Sequence, residues 1–203
     1  MNRRQFSKTL AASALLGALA IKSAHAEETS AMTSPAPFQI AIPETQLADL
    51  KYRLQHTRWP DQPADAGWAI GTNLDYLKGL TDYWLNQYDW RAQEARLNAL
   101  GNFKLTLDGV ELHFVHRPSS NPDAVPLLLL HGWPDSFYRY HRVIDALSED
   151  FHVVVPSIPG TGFSGRTALP MDQVADLFAR LMTETLGYDK FIAAGGDGGS
   201  IIS

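Results

Sequence analysis

The spacing of apolar residues changes near position 103 and divides the chain into a helical part and a part rich in strands. Over residues 47–54 apolar residues recur at helical spacing, and Pro60 predicts that this helix ends before it. The same period predicts helices over residues 74–88 and 89–100. Leucine and tryptophan side chains share one face of the second helix, and we expect that face to pack in the core.

Beyond position 103 the pattern becomes that of strands. Residues 103–107 and 110–115 flank Asp108-Gly109, a dipeptide typical of a hairpin turn. One unbroken apolar run and two mostly apolar runs follow, and such runs are typical of strands covered on both faces of a parallel sheet. They span residues 125–130, 151–155 and 190–194.

Helical periods separate these three runs. Residues 137–147 and 171–186 are predicted to form helices, and the second has the clearer amphipathic pattern. A hairpin followed by strand, helix, strand, helix and strand predicts an α/β fold with a parallel sheet.

The first 26 residues have the layout of an export signal. Arg3 and Arg4 precede an apolar stretch over residues 9–21, and Ala24-His25-Ala26 matches a small-x-small cleavage site. The paired arginines resemble the twin-arginine motif, which exports folded proteins; an ordinary secretory signal is the alternative. The apolar stretch is shorter than the ~20 residues that span a membrane. We therefore expect a periplasmic or secreted protein with no stable membrane span.

Composition excludes several classes of function. The chain has 203 residues, 45% of them hydrophobic, which is enough for one real core. It contains no cysteine, so disulfide scaffolds, thiolate metal sites and cysteine nucleophiles are excluded. The formal net charge of -5 argues against binding nucleic acid through its phosphates.

The clearest candidate chemistry follows the third apolar run. Gly195-Gly196-Asp197-Gly198-Gly199 has the form of a nucleophile elbow, in which small residues let a strand turn sharply into a helix. Where a lipase has serine, Asp197 presents a carboxylate that is ionised near neutral pH and can attack carbon without prior deprotonation. Epoxides and alkyl halides suit it better than amides. The alternative interpretation is that Asp197 only caps the following helix.

A second motif, His131-Gly132-Trp133-Pro134, follows the first apolar run. In an α/β-hydrolase this loop supplies one backbone N–H of the oxyanion hole, and the residue after the nucleophile supplies the other. Trp133 and Gly198 are the candidate donors. His131 taken by itself favours a structural role over that of a base.

The two motifs, in this order, resemble those of the α/β-hydrolase-fold epoxide hydrolases that carry an N-terminal extension, the microsomal and juvenile-hormone type. The resemblance covers about residues 38–203, and its motifs are specific in combination. The matching segments are residues 50–54, 57–60, 90–94, 97–98, 109–116, 131–134, 156–164 and 195–197.

The resemblance implies a domain organisation. Residues 1–26 would be the signal peptide and residues 27–37 a linker. Residues 38–102 would form the helical N-terminal extension of the epoxide-hydrolase type. Residues 103–203 would form the N-terminal half of an α/β-hydrolase domain.

The resemblance also implies a mechanism. Asp197 would attack a carbon of a small-molecule epoxide to give an ester, and water would hydrolyse this ester to a diol. The backbone N–H groups of Trp133 and Gly198 would stabilise the oxyanion. Neither a metal nor an organic cofactor is implied.

The sequence departs from the family pattern at several points. Gly198 stands where the family usually has tryptophan or another large residue, and Thr161 where it has an aromatic one. The family's cap tyrosines, acidic triad member and histidine base all follow the nucleophile, and this sequence ends six residues after Asp197. We therefore expect the chain to be inactive alone and a C-terminal fragment to complete the fold.

Two other functions stay open at this point. A haloalkane dehalogenase also uses an aspartate nucleophile, but it typically binds the halide through a tryptophan where this chain has Gly198. A non-catalytic exported protein would also be compatible with an incomplete catalytic set.

Overall fold

The structure is a computed structural model that describes residues 33–203. The predicted export signal over residues 1–26 and most of the predicted linker lie outside the described residues. Within residues 33–203, none of the helices has both the length and the apolar composition needed to cross a membrane.

Six strands in the described part of the chain form one mixed sheet, with the order β1-β2-β3-β5-β4-β6. β1, β2, β3 and β5 pair antiparallel, whereas β4 lies between β5 and β6 and is parallel to both. The carboxyl ends of β4 and β6 therefore lie side by side. The strands are β1 (Ala36–Pro37), β2 (Asn102–Leu107), β3 (Val110–Arg117), β4 (Val125–Leu130), β5 (Phe151–Pro156) and β6 (Ile192–Gly195).

Helices flank this sheet on both faces. Asn73 and Asp89 cap the second and third helices, because each side chain accepts a hydrogen bond from a backbone N–H in the first turn. The helices are α1 (Glu44–Gln55), α2 (Leu74–Asn86), α3 (Trp90–Asn98), α4 (Ile144–Leu147), α5 (Met171–Arg180) and α6 (Gly198–Ile202), with a 3₁₀ turn at Phe137–Tyr140 and a π-helical turn at Leu181–Thr185.

The predicted hairpin and the two central strands are confirmed. Asp108 and Gly109 have φ of +51° and +75°, the left-handed pair that a type I′ turn requires. β4 and β5 are buried along most of their length, and their side chains alternate between two hydrophobic clusters, one on each face of the sheet. α5 covers one cluster, and the end of α3 with Phe137 and Ile144 covers the other.

The prediction of one continuous helix over residues 137–147 is wrong. The structure has a 3₁₀ turn and the short helix α4, with turns between them. Phe137 and Ile144 are buried, but Val143 is 43% exposed. The middle of the segment therefore gains little from packing, and only its two ends are held by the core.

The third apolar run was predicted to be a strand covered on both faces, and this prediction is wrong. β6 is an edge strand in the described part of the sheet, and Ile192 is 48% exposed. The apolar sequence of the strand is the same as that of a central strand, but burial depends on which elements lie against it.

The expectation that the apolar face of α2 packs in the core is also wrong. Leu80 and Trp84 are exposed, Leu77 and Leu85 are only half-buried, and no residue of this helix is buried. α2 leaves its apolar face open beside α1 and α3, in a groove of about 590 Å³ that Asp197 does not line. Helical spacing indicated which residues share a face, but not what covers it.

Polar side chains of α3 hold the segment before α1 against the sheet. The N–H of Ile42 donates to Glu94 over 2.7 Å. Asn98 accepts from the N–H of Ile40 and donates to its carbonyl oxygen, over 2.8 and 2.9 Å. These three bonds connect positions more than fifty residues apart, so they fix the position of residues 40–42 beside α3.

His113 is a fully buried histidine at the centre of β3. Its Nε2 donates to the side-chain oxygen of Asn102 over 3.0 Å, and its Nδ1 accepts from the hydroxyl of Ser157 over 2.8 Å. Burial, with a smaller contribution from Lys104, lowers the pKa of His113 to about 3. The ring is therefore neutral in the folded protein at ordinary pH.

We expect His113 to make the protein less stable in acid. The unfolded chain takes up a proton on this histidine near its ordinary pKa of 6.5, but the folded chain does not until about 3. The free energy of unfolding should therefore fall by up to ~1.4 kcal/mol per pH unit as the pH drops through that window. Urea unfolding of the full chain and of His113→Phe at several pH values measures this slope.

His113→Phe should lose stability at pH 7, because Asn102 and Ser157 lose their partner, but its stability should depend less on pH. Equal slopes for the two proteins below pH 6.5 would contradict this account of His113.

Candidate active site

Asp197 lies in the turn that joins β6 to α6. Its φ is +56°, a left-handed conformation that is rare for a residue with a side chain. The strand-turn-helix arrangement and this dihedral angle have the geometry of a nucleophile elbow. The side chain is directed toward the loop that follows β4.

Glycines permit the close approach of this turn to β4. A Cβ atom on Gly199 would collide with the carbonyl oxygens of Leu130 and His131. A Cβ atom on Gly195 would collide with the carbonyl group of Gly199. The backbone would have to move to accept any other residue at either position.

Two backbone N–H groups bind the same oxygen of Asp197. The N–H of Trp133 donates to Oδ1 over 3.0 Å, and that of Gly198 donates to Oδ1 over 2.5 Å. The two donors inferred from the sequence therefore converge on one atom. Within residues 33–203 no group hydrogen-bonds to Oδ2, which leaves that oxygen available to a bound molecule.

These donors also determine the charge state of the carboxyl group. The N–H of Trp133, followed by that of Gly198, lowers the pKa of Asp197 below its ordinary value of 3.8. The positive charge of Arg139 acts in the same direction, whereas desolvation opposes it. The group is therefore a carboxylate throughout the neutral range.

The loop that supplies Trp133 follows β4. A Cβ atom on Gly132 would collide with the carboxylate of Asp197, so glycine is required for the two segments to meet. The Trp133–Pro134 peptide bond is cis. The indole of Trp133 is 80% exposed, while His131 is buried and hydrogen-bonds to the Gly132 carbonyl oxygen.

Position 198 has room for a side chain. A Cβ atom there would lie 3.7 Å from Cα of Gly132 and 4.0 Å from Cε of Met171, which are ordinary contact distances. This glycine is therefore not required by crowding.

Arg139 is a neighbour of the site that the sequence did not indicate. A Cβ atom on Gly196 would lie 3.2 Å from its guanidinium, which also pairs with Asp135 over 2.9 Å. Arg139 lies far from Asp197 along the chain, so no local pattern connects the two. The one sequence feature that could have indicated Arg139 as a neighbour of the site is its position shortly after the 131–134 motif.

No histidine of residues 33–203 hydrogen-bonds to Asp197. Each one hydrogen-bonds to another residue instead. The described residues thus bring together a carboxylate and two backbone N–H donors, but no histidine that hydrogen-bonds to the carboxylate. These histidines are His56, His113, His116, His131, His141 and His152.

Two protein families match this chain. The family described as "Epoxide hydrolase N terminus" matches residues 35–140, and the α/β-hydrolase fold family matches residues 125–203. The first match alone spans more than half of the chain.

Individual relatives agree with these matches. The chain is 36% identical to juvenile hormone epoxide hydrolase 1 of Ctenocephalides felis, over 82% of this chain and 38% of that protein. The solved structure of Aspergillus niger epoxide hydrolase is 34% identical with a TM-score of 0.77, over 84% of this chain and 48% of that one. The solved structure of juvenile hormone epoxide hydrolase from Bombyx mori is 34% identical with a TM-score of 0.75, over 84% of this chain and 48% of that one. This chain thus spans less than half the length of these relatives.

Gly132→Ala is expected to raise the pKa of Asp197 toward its ordinary value. The new Cβ atom would collide with the carboxylate and displace it from the Trp133 N–H, whose hydrogen bond contributes most to the low pKa. An NMR titration of the full chain with ¹³C-labelled aspartate carboxyl groups measures this pKa.

Gly198→Ala is the matched control. It adds the same methyl group where the nearest atoms lie at 3.7 and 4.0 Å, so the pKa of Asp197 should stay low. An Asp197 pKa that is equally low in Gly132→Ala and in Gly198→Ala would contradict the close approach of Gly132 to the Asp197 carboxylate.

Proposed function

Because this chain belongs to the epoxide hydrolase family, we propose that Asp197 is the nucleophile that opens an epoxide ring. The observation that supports the proposal is that the two carboxylate oxygens differ in their hydrogen bonds. Oδ1 accepts two backbone hydrogen bonds, and Oδ2 accepts none in the described chain. A carboxylate held in this way can react through Oδ2 while Oδ1 stays in place.

In the first step Oδ2 attacks one carbon of the epoxide. The bond from Oδ2 to carbon forms as the bond from that carbon to the ring oxygen breaks, and the ring oxygen takes a proton, from solvent water in the chain alone, to become a hydroxyl group. The product is a hydroxyalkyl ester of Asp197. Asp197 is exposed in the described part of the chain, so a substrate carbon can approach the carboxylate.

In the second step water attacks the carbonyl carbon of this ester. The negative charge then develops on Oδ1, the oxygen that the N–H groups of Trp133 and Gly198 already bind. Donors fixed in advance stabilise such a charge without rearrangement. When the tetrahedral intermediate collapses, the diol leaves and the Asp197 carboxylate is restored.

The second step needs a base that removes a proton from the water. In residues 33–203 no histidine hydrogen-bonds to Asp197, and the relatives are more than twice as long as the part that this chain matches. We therefore infer that a C-terminal polypeptide supplies the base, its acidic partner and the proton donors for the ring oxygen. On this proposal the chain alone forms the ester and releases it slowly.

For its cellular location, we propose that residues 1–26 direct export through the twin-arginine pathway. The paired arginines, the short apolar stretch and the Ala-x-Ala site support this proposal. We expect the full chain expressed in a bacterial host to reach the periplasm and to lose residues 1–26. The double variant Arg3→Lys, Arg4→Lys should stay in the cytoplasm at full length; equal export of both proteins would favour an ordinary secretory signal.

Incubating the full chain with an aryl epoxide such as styrene oxide is expected to add the mass of one epoxide to Asp197. Intact mass spectrometry and peptide mapping locate the adduct. Since the pKa of Asp197 is lowered, the rate of adduct formation should be constant from pH 8 down to about pH 4 and fall only below it.

Asp197→Asn should form no adduct, because an amide is a poor nucleophile. Halide release from an alkyl bromide without any epoxide adduct would favour a dehalogenase instead. Steady turnover of the epoxide by the purified chain, lost in Asp197→Asn, would contradict the need for a C-terminal polypeptide. A chain that folds but reacts with neither electrophile would overturn the proposed function.

A further inference from the structure

His131 lies between the two loops that border the carboxyl end of β4. Its side chain is fully buried. Its Nδ1 lies 2.9 Å from the carbonyl oxygen of Gly132, and its Nε2 lies 3.2 Å from the backbone nitrogen of Ile158. The ring thus bridges the loop that contains Trp133 and the loop that follows β5.

The partners of this ring determine its protonation. A carbonyl oxygen only accepts hydrogen bonds, so Nδ1 carries the proton and donates to Gly132. A backbone N–H only donates, so Nε2 is bare and accepts from Ile158. The hydroxyl of Thr161 lies 3.3 Å from Nε2 but donates to the carbonyl oxygen of Ile158 over 2.7 Å.

The carbonyl group that His131 holds belongs to the same peptide unit as the Trp133 N–H. A peptide unit is planar, and in a trans unit the C=O and N–H point in opposite directions. The hydrogen bond from Nδ1 therefore helps to direct the Trp133 N–H toward Oδ1 of Asp197. The N–H of Asp135 also donates to this carbonyl, over 3.2 Å, and closes the turn from the other side.

We propose that His131 is a positioning residue that orients the Gly132–Trp133 peptide unit for its role in the oxyanion hole. The role in the reaction rests on the function proposed above, but the orientation of the peptide does not. Burial lowers the pKa of His131 against the opposing effect of its bond to Gly132, which keeps the ring neutral. The ring neither touches the substrate nor acts as a base.

The test compares two amide replacements that differ in where the donor lies. His131→Asn places its NH₂ group near the position of Nδ1 and can still donate to the Gly132 carbonyl. His131→Gln places it near the position of Nε2 and cannot. We expect the pKa of Asp197, from the carboxyl NMR titration, to rise in the Gln variant and to stay low in the Asn variant. The Trp133 amide resonance should shift in the Gln variant only.

His116→Phe is the control for a merely structural effect. It removes a half-buried histidine whose Nε2 lies 2.9 Å from the hydroxyl of Tyr188, and it should lower stability but leave the Trp133 amide and the pKa of Asp197 unchanged. In the alkylated protein, spontaneous hydrolysis of the ester should be slower by up to ~10²-fold in His131→Gln than in His131→Asn, as when an oxyanion donor is lost.

The ¹⁵N shifts of the His131 ring in the unmodified chain provide a test that needs no variant. A proton on Nε2 instead of Nδ1 would overturn the proposal, as would equal Asp197 pKa values in the Asn and Gln variants. Failure of the chain to react with epoxides would overturn only the proposed function, since neither NMR measurement uses an epoxide.

Discussion

The geometry of this site depends on two hydrogen bonds that Oδ1 of Asp197 accepts from backbone N–H groups. The donors at Trp133 and Gly198 come from different loops, and they meet on Oδ1 only because β4 and β6 are adjacent and parallel. The register that pairs Leu130 with Gly195 brings the ends of these strands to the same level. Glycines at the closest contacts then let the two turns approach within hydrogen-bonding distance.

In the proposed mechanism this arrangement gives the two oxygens of one side chain different roles. The oxygen that accepts both N–H groups would be stabilised as an anion, first in the free carboxylate and then in the tetrahedral intermediate. The other oxygen would keep its lone pairs for attack on carbon. Because the donors are backbone groups fixed by the sheet, they would need no rearrangement during the proposed reaction, which is the condition under which such donors contribute most to catalysis.

Two neutral histidines hold the surroundings of this site with opposite tautomers. His113 carries its proton on Nε2 and accepts at Nδ1 from Ser157, whereas His131 carries its proton on Nδ1 and accepts at Nε2 from Ile158. The two histidines therefore bind consecutive residues of the loop after β5, His113 from β3 and His131 from the loop after β4. A neutral imidazole donates one hydrogen bond and accepts one, so it can bridge a donor and an acceptor. A second proton would make both ring nitrogens donors, and the ring could no longer accept a hydrogen bond.

The sequence by itself determined the local features: the hairpin at Asp108-Gly109, the central strands β4 and β5, the elbow at Asp197 and the identity of both N–H donors. Each depends on neighbours within a few residues, such as a turn dipeptide or the spacing of glycines. Only the tertiary structure decided burial and long-range partners. The apolar face of α2 and the strand β6 carry core-like patterns yet stay exposed. Strand order brings Arg139 to the turn of Asp197 and Ile158 to the ring of His131. Local patterns specify which groups share a face, and the packing of distant segments specifies what that face meets.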